Sequence, residues 1–253
     1  MRALLLSDIH GNLEALTAVL DAAGQWDALW NLGDMVGYGA SPNQVVEVIR
    51  PLATLTVRGN HDRICCGLTS ARNFNPMARA SAKWTMQELS AENLEWLRGL
   101  PQGPLQPERR SEDEVRVTLA HGSPLNEDHY IQNMRDAWAP LQQMSTPIAF
   151  VGHTHIQGGF TLRDDQVVVQ HLKPAAGNLF TSLPLEKGTS YLLNPGSVGQ
   201  PRDGDPRAAF AIADLDHQSV EFWRIPYDIE AVQNRMTQAG LPEPLILRLS
   251  FGR

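Results

Sequence analysis

A chain of 253 residues with 42% apolar and 19% charged residues can bury a large core and has an ordinary globular composition. Its formal charge of −7 argues against a broad polyanion-binding face, so no extended nucleic acid is expected as a partner. No apolar run approaches the roughly 20 residues of a membrane span, and the opening run meets a carboxylate at Asp8, too early for a secretion signal. The two cysteines, Cys65 and Cys66, are neighbours, for which a disulfide is strained. A reduced, cytoplasmic protein without a membrane partner is expected.

In chain order, residues 2–7 form a short apolar run ended by a polar cluster, which suits a buried strand. From Asn12 the spacing of Leu13, Leu16, Val19 and Leu20 predicts a helix up to Gly24. Residues 28–32 read as a second strand closed by Gly33-Asp34. Ser41-Pro42 reads as a helix start, with a capping residue and then proline at the first position. Residues 52–57 are a third strand, running into Gly59-Asn60-His61-Asp62. Such alternation predicts a parallel sheet covered by helices.

Residues 74–100 carry apolar side chains at helical intervals and no chemical motif, and are expected to be a helical insertion in a single domain spanning 1–253. Residues 101–114 read as loop, 115–120 as a strand ending in His121, 134–144 as a helix, and 147–151 as a strand followed by Gly152-His153-Thr154-His155. Beyond these, residues 160–163, 167–171, 190–193, 208–214 and 219–225 are short, β-branched or aromatic, and separated by turn residues, which suits antiparallel hairpins. Residues 228–238 predict a closing helix and 242–253 an extended tail.

Five polar clusters each follow a strand-like run: Asp8/His10, Asp34, Asn60/His61/Asp62, His121 and His153/His155. Taken singly, each is an ordinary turn or strand end. Together they occupy the kind of position at which open α/β sheets build sites, beyond the carboxyl ends of strands. Two aspartates, four histidines and an asparagine amide make a nitrogen/oxygen set without thiolates, suited to Mn, Fe, Zn, Co or Ni rather than Ca. Seven ligands are too many for one catalytic ion with an open position, and enough for two if a carboxylate bridges. Two ions about 3.5–4 Å apart can hold a hydroxide and clamp the oxygens of an in-line displacement at phosphorus.

The ordered set Asp8-x-His10, Gly33-Asp34, Gly59-Asn60-His61-Asp62, His121 and Gly152-His153-x-His155 resembles the calcineurin-like metallophosphoesterases. The runs Asp8-Ile9-His10-Gly11-Asn12 and Asn194-Pro195-Gly196-Ser197 to Arg202 look like their small bacterial and archaeal phosphodiesterase-type branch. The resemblance implies an α/β fold, a four-layer αββα sandwich of two mixed sheets flanked by helices. It implies Asp8, His10 and His155 on one metal, Asn60, His121 and His153 on the other, and Asp34 bridging. It implies that His61 protonates the leaving group or steadies the phosphate, with Asp62 orienting it. Asn12 and Arg202 are candidate substrate contacts, although Arg202 can equally pair with Asp203 or Asp205. The expected cofactor is two divalent ions, Mn²⁺ first, with Fe, Zn, Ni, Co or Mg as alternatives.

The activity implied is hydrolysis of a phosphodiester or a nucleotide polyphosphate by metal-held hydroxide. A phosphomonoesterase or protein phosphatase on the same centre stays open, as does a non-catalytic metal-binding scaffold, against which the presence of His61 counts. A homodimer is compatible with the chain, though no heptad or apolar stripe marks an interface. His129, His171, His217, Cys65 and Cys66 match no motif, and ordinary surface or core places are expected for them.

Overall fold

The computed structural model describes residues 1–109, 111–112 and 114–253; Arg110 and Asp113, in the predicted loop of residues 101–114, lie outside them. In chain order the elements are β1 (Arg2–Leu6), α1 (Leu13–Ala22), β2 (Ala28–Asn31), α2 (Pro42–Leu52), β3 (Leu55–Thr56), α3 (Asn60–Cys65), α4 (Pro76–Glu88) and α5 (Ala91–Arg98). There follow β4 (Val117–Leu119), α6 (Met134–Gln143), β5 (Ile148–Phe150), β6 (Gly158–Arg163), β7 (Gln166–Gln170) and β8 (Phe180–Pro184). The chain closes with β9 (Ser190–Asn194), β10 (Ala208–Asp214), β11 (Ser219–Ile225), α7 (Ile229–Gln238) and α8 (Glu243–Leu247).

Six strands form one sheet in the order β3-β2-β1-β10-β11-β8, and five form a second in the order β4-β5-β9-β6-β7. Each sheet is parallel at one side and antiparallel at the other: β1, β2 and β3 run together, as do β4, β5 and β9, while the remaining pairs oppose. Strand β1 is a continuous apolar run because both of its faces are covered. Its Ala3 and Leu5 meet Val117, Ile148, Phe150 and Phe222 between the sheets. Its Leu4 and Leu6 meet Leu16, Val19, Val46 and Ile49 of the outer helices. Helix α6 closes the far side, with Ala137 and Leu141 against Ala149, Val151 and Leu192. The layers are helix, sheet, sheet, helix, the αββα sandwich expected.

Several local expectations are corrected. The polar stretch after Gly59 is the first turn of α3 rather than a free turn. Strand β8 is an additional edge strand, held by pairing with β11 and by Phe180 stacked on Trp223 at 4.6 Å. Ser41 precedes Pro42 at the start of α2 as expected, but its hydroxyl makes no capping bond. The largest difference is the tail. Residues 242–253 are not extended: α8 is followed by a 3-10 turn, Arg248–Phe251. Glu243 and Pro244 tolerate the first helical positions, where a backbone N–H has no helical partner. Leu245, Ile246 and Leu249 then bury one face against Val232 and Met236 of α7 and against Tyr38.

The docked tail is therefore part of the core. Leu245→Ala should lower the unfolding free energy in urea by about 2–4 kcal/mol; a loss below about 0.5 kcal/mol, the range of a surface change, would show the tail to be peripheral.

Candidate metal centre

Every cluster sits just past the carboxyl end of a parallel strand: Asp8 after β1, Asp34 after β2, Asn60 after β3, His121 after β4 and His153/His155 after β5. The parallel sides of the two sheets face each other, so these five ends converge. Packing there is tight enough to demand glycine. At Gly59 the backbone is extended, so a positive φ is not what requires it; a Cβ would collide with the Asp34 carboxylate. Five of the seven expected ligands, Asp8, His10, Asp34, His153 and His155, hold φ between 50° and 67°. Asp and His tolerate this left-handed region better than most residues, at about 1–3 kcal/mol each in strain.

Two buried triads result, Asp8/His10/His155 and Asp34/His121/His153. In the first, the Nδ1 atoms of His10 and His155 bond the carbonyl oxygens of Val36 (3.1 Å) and Gln200 (2.6 Å). A carbonyl only accepts, so Nδ1 carries the proton and Nε2 is left bare. These two bare nitrogens lie 3.1 Å apart. Burial keeps both imidazoles neutral by holding their pKa values below the ordinary histidine range. Asp8 Oδ1 points at the same place, 3.2 Å from His155 Nε2 and 3.8 Å from His10 Nε2, with no hydrogen-bond partner among the described residues. Its other oxygen accepts from the Ser7 hydroxyl (2.6 Å) and the His153 N–H (3.0 Å). Two lone pairs and a carboxylate oxygen aimed at one point fit a cation.

In the second triad, His121 Nδ1 bonds the Leu32 carbonyl at 2.9 Å, while Nε2 lies 3.1 Å from Asn60 Oδ1 and 3.3 Å from Asp34 Oδ2. Buried His153 Nε2 has no partner among the described residues. The same Asp34 Oδ2 is 3.8 Å from His10 Nε2, so it reaches toward both triads. Burial alone would keep His121 neutral, but the Asp34 charge outweighs it and pushes the pKa up to about 10. At neutral pH that imidazole is therefore charged beside Asp34.

The sequence expectations for the flanking residues are met unevenly. Asp62, expected to orient His61, makes no hydrogen bond to His61 Nδ1. Its carboxylate accepts from the N–H groups of Asp34 (2.8 Å), Met35 (2.9 Å), Val36 (3.3 Å) and Gly59 (2.9 Å), and so fixes the loop that carries Asp34. Burial and the Asp34 charge push Asp62 up to about 7 against the pull of these donors. His61 is instead walled by rings, with Tyr38 at 4.4 Å, Phe74 at 4.5 Å and His10 at 4.8 Å, and its buried Nδ1 has no hydrogen-bond partner among the described residues. Burial lowers its pKa to about 4 although Asp34 pulls the other way, so the imidazole is neutral at neutral pH.

Asn12, a candidate substrate contact, caps α1: Oδ1 accepts from Ala15 N–H (3.0 Å) and Nδ2 donates to the Gly199 carbonyl (2.9 Å). Arg202 is not paired with the aspartates after it. Asp203 is taken by Arg224 and Asp205 by Arg207, while Arg202 donates to Gln200 Oε1 at 2.8 Å and lies 5.7 Å from the Tyr38 ring centre. Tyr38 and Tyr130 were missed. Tyr38 sits between Gly37 and Gly39, a spacing that could have flagged it; Tyr130 stacks on His153 at 3.7 Å from a loop with no motif. Cys65 and Cys66 are free and buried, and His217 bonds Asp214 at 2.8 Å, away from the site.

The comparisons agree with this geometry. The domain description "Calcineurin-like phosphoesterase superfamily domain" matches residues 1–218, and the chain belongs to that superfamily, one of metal-dependent phosphoric ester hydrolases that use two metal ions. It is 42% identical to a metallophosphoesterase of Sphaerobacter thermophilus whose crystal structure superposes with a TM-score of 0.82, covering 100% of this chain and 99% of that one. It is 36% identical over 251 residues to an uncharacterized protein of Methanocaldococcus jannaschii, covering 98% of this chain and 97% of the relative. A hypothetical protein of Pyrococcus horikoshii, 22% identical, shares the fold with a TM-score of 0.79 over 100% of this chain and 98% of that one. Among the described residues no helix is long and apolar enough to cross a membrane.

Two outcomes follow. Chelator-stripped protein should take up two divalent ions per chain, and Asp34→Ala fewer, by elemental analysis. Near pH 8 the raised pKa of His121 leaves it charged, so a cation must displace that proton. Loading should then release about one proton per chain, visible in calorimetry across buffers of different ionisation enthalpy, and affinity should fall as pH falls; zero release would remove the proton from His121. Separately, Asn12→Ala should cost about 1–2 kcal/mol of stability as a lost cap, with ion uptake unchanged. Altered uptake would return Asn12 to the site.

Proposed function

We propose that this protein is a phosphodiester or nucleotide polyphosphate hydrolase built on a dinuclear centre, with Mn²⁺ as the first candidate ion and the cytoplasm as its place of work. One observation carries the reading: a buried carboxylate, Asp34, sends one oxygen toward both triads, 3.8 Å from His10 and 3.3 Å from His121. Asp8, His10 and His155 would hold one ion, Asn60, His121 and His153 the other, and Asp34 would bridge. When bound, such a pair supplies Lewis acidity toward phosphoryl oxygens and activates water at neutral pH.

The chain's own groups do the rest. Asp62 holds the Asp34 loop through four backbone N–H bonds, and Asp34 in turn accepts from the His61 N–H at 2.7 Å, so that the carboxylate and His61 move as one piece. His61 is neutral at neutral pH, but an anionic phosphoryl oxygen beside it favours the charged imidazole. Arriving substrate thus brings His61 toward the form that donates a proton to the leaving oxygen. The rings of Tyr38 and Phe74 exclude water from that proton. Arg202, whose buried Nε lacks a hydrogen-bond partner among the described residues, would hold a substrate oxygen.

Metal-stripped protein reconstituted with Mn²⁺ should cleave an aryl phosphodiester faster than the matching monoester; the reverse order would favour a phosphomonoesterase, and no turnover with any divalent ion would sink the hydrolase reading. His61→Ala should lose about 10²-fold or more in rate, with ion uptake retained by elemental analysis. Full activity in that variant would remove His61 from the chemistry.

A further inference from the structure

An open sheet ends in strands with one unpaired side, and such edges pair with other chains unless they are guarded. Here the edges are β3 and β8 of one sheet and β4 and β7 of the other. Strand β3 is two residues long, β4 is met by a bridge between Leu119 and Leu105, and β8 ends in Pro184. Strand β7 has none of these guards. It reads Gln166-Val167-Val168-Val169-Gln170, with neither a charge nor a proline. One side pairs along its whole length with β6, and the other makes no backbone hydrogen bond among the described residues. Val168 is 52% exposed and Val169 38%, so apolar, β-branched side chains stand in water on a strand with a free edge.

What this edge accepts follows from its sequence, which reads the same in both directions about Val168. An antiparallel pair reverses one strand against the other. A second β7 laid along the first, about a two-fold axis at Val168, therefore meets it residue for residue. Val168 faces the partner's Val168, Val167 the partner's Val169 and Gln166 the partner's Gln170, apolar on apolar and amide on amide. A two-fold contact requires such self-complementarity, because the same patch serves both copies. One step further out, the same register sets Asp165 against the partner's His171, an exposed acid against an exposed imidazole. A chain with a formal charge of −7 repels its copies as a whole, and an uncharged strand is a place where they can meet. There is room for the contact: Val168 and Gln170 line an open cleft of about 280 Å³ with Leu183 and Pro184 of β8.

We propose that β7 is the contact by which two copies of this chain associate, antiparallel and two-fold symmetric about Val168, so that one sheet runs on through both. The occupant of the edge is thus a second copy rather than an unrelated strand. Strand β7 lies at the opposite edge of its sheet from β4, whose end carries His121, so the contact forms away from the strand ends that carry that ligand.

Sedimentation velocity over a range of concentrations tests this. The unsubstituted protein should pass reversibly from monomer to dimer as concentration rises. Val168→Lys, which sets two like charges face to face at the axis, should weaken the dimer at least about tenfold. Two double variants then test the register. With Gln166→Lys and Gln170→Glu together, opposite charges face each other twice and the dimer should persist. With Gln166→Glu and Gln170→Glu together, like charges face each other twice. The dissociation constant should then lie about tenfold or more above that of the first double variant. Both double variants give up the Gln170 bond to Thr161 at 3.0 Å, so its loss cannot separate them. All three substitutions fall on a solvent-facing edge, and thermal melts should show each variant folded. A monomer at every concentration, a dimer unmoved by Val168→Lys, or double variants that dissociate alike would overturn the contact.

Discussion

Two carboxylates, Asp8 and Asp34, are buried within one site, and the need to hold them there accounts for most of what surrounds them. Taking a charge out of water costs several kcal/mol unless bonds and counter-charges replace the solvent. Burial therefore works to protonate both groups, yet the charge of His121 pulls against it at both, and each is held below the ordinary carboxylate range. Each carboxylate spends one oxygen on fixed donors, the Ser7 hydroxyl and His153 N–H for Asp8 and the His61 N–H for Asp34, and turns the other inward. That division is the signature of a ligand. A merely structural carboxylate has no reason to leave a buried oxygen without a bond, as Asp8 does.

The same constraint explains the backbone. Ligands drawn from five strand ends on two sheets must approach one another more closely than a β-strand's exit allows, and the chain accommodates this by leaving the ordinary φ range at Asp8, His10, Asp34, His153 and His155. Such strain persists only where the surroundings over-determine it. Asp62 does much of that work, since its four accepted N–H bonds would otherwise be buried donors without partners. The rigid sandwich supplies the rest: no ligand sits more than four residues beyond the strand that feeds it, except His155, which lies five past β5.

How much of this the sequence disclosed follows from the same physics. Buried strands that end abruptly in polar residues leave an unmistakable pattern, so the strands feeding Asp8, Asp34, Asn60, His121 and His153 were all legible, and the nitrogen/oxygen composition pointed to metal. Asp62 was misread because adjacency in sequence was taken for adjacency in space. In a helix, consecutive side chains diverge by about 100°, and neighbours along the chain do not face each other. Residues 60–65 were not seen as a helix, so His61 and Asp62 could not be assigned to different faces. Asn12, a candidate substrate contact, spends its side chain on capping α1 and on the Gly199 carbonyl. Strand β8 escaped because an exposed edge strand that ends in Pro184 carries little apolar alternation.

The tail is the instructive failure. Nothing local makes residues 243–251 helical: they are short, open on Glu-Pro, and gain their order from docking Leu245, Ile246 and Leu249 on Tyr38 and α7. Isolated helices of this length are unstable in water, so their existence is a tertiary fact that no pattern of spacing discloses. Yet this is the segment that sets Leu249 in the cleft beside His10, Tyr38 and Gln200. None of the five motif blocks reaches past residue 155, and even the later run that ends at Arg202 stops well short of it. The reaction class is written in strand ends, where the geometry of the sandwich allows little variation. Tyr38 and Tyr130, whose rings lie against His10, His61 and His153, stand on loops, where the fold tolerates change. The ligand set can thus be read from the motifs, and the rings packed around it cannot.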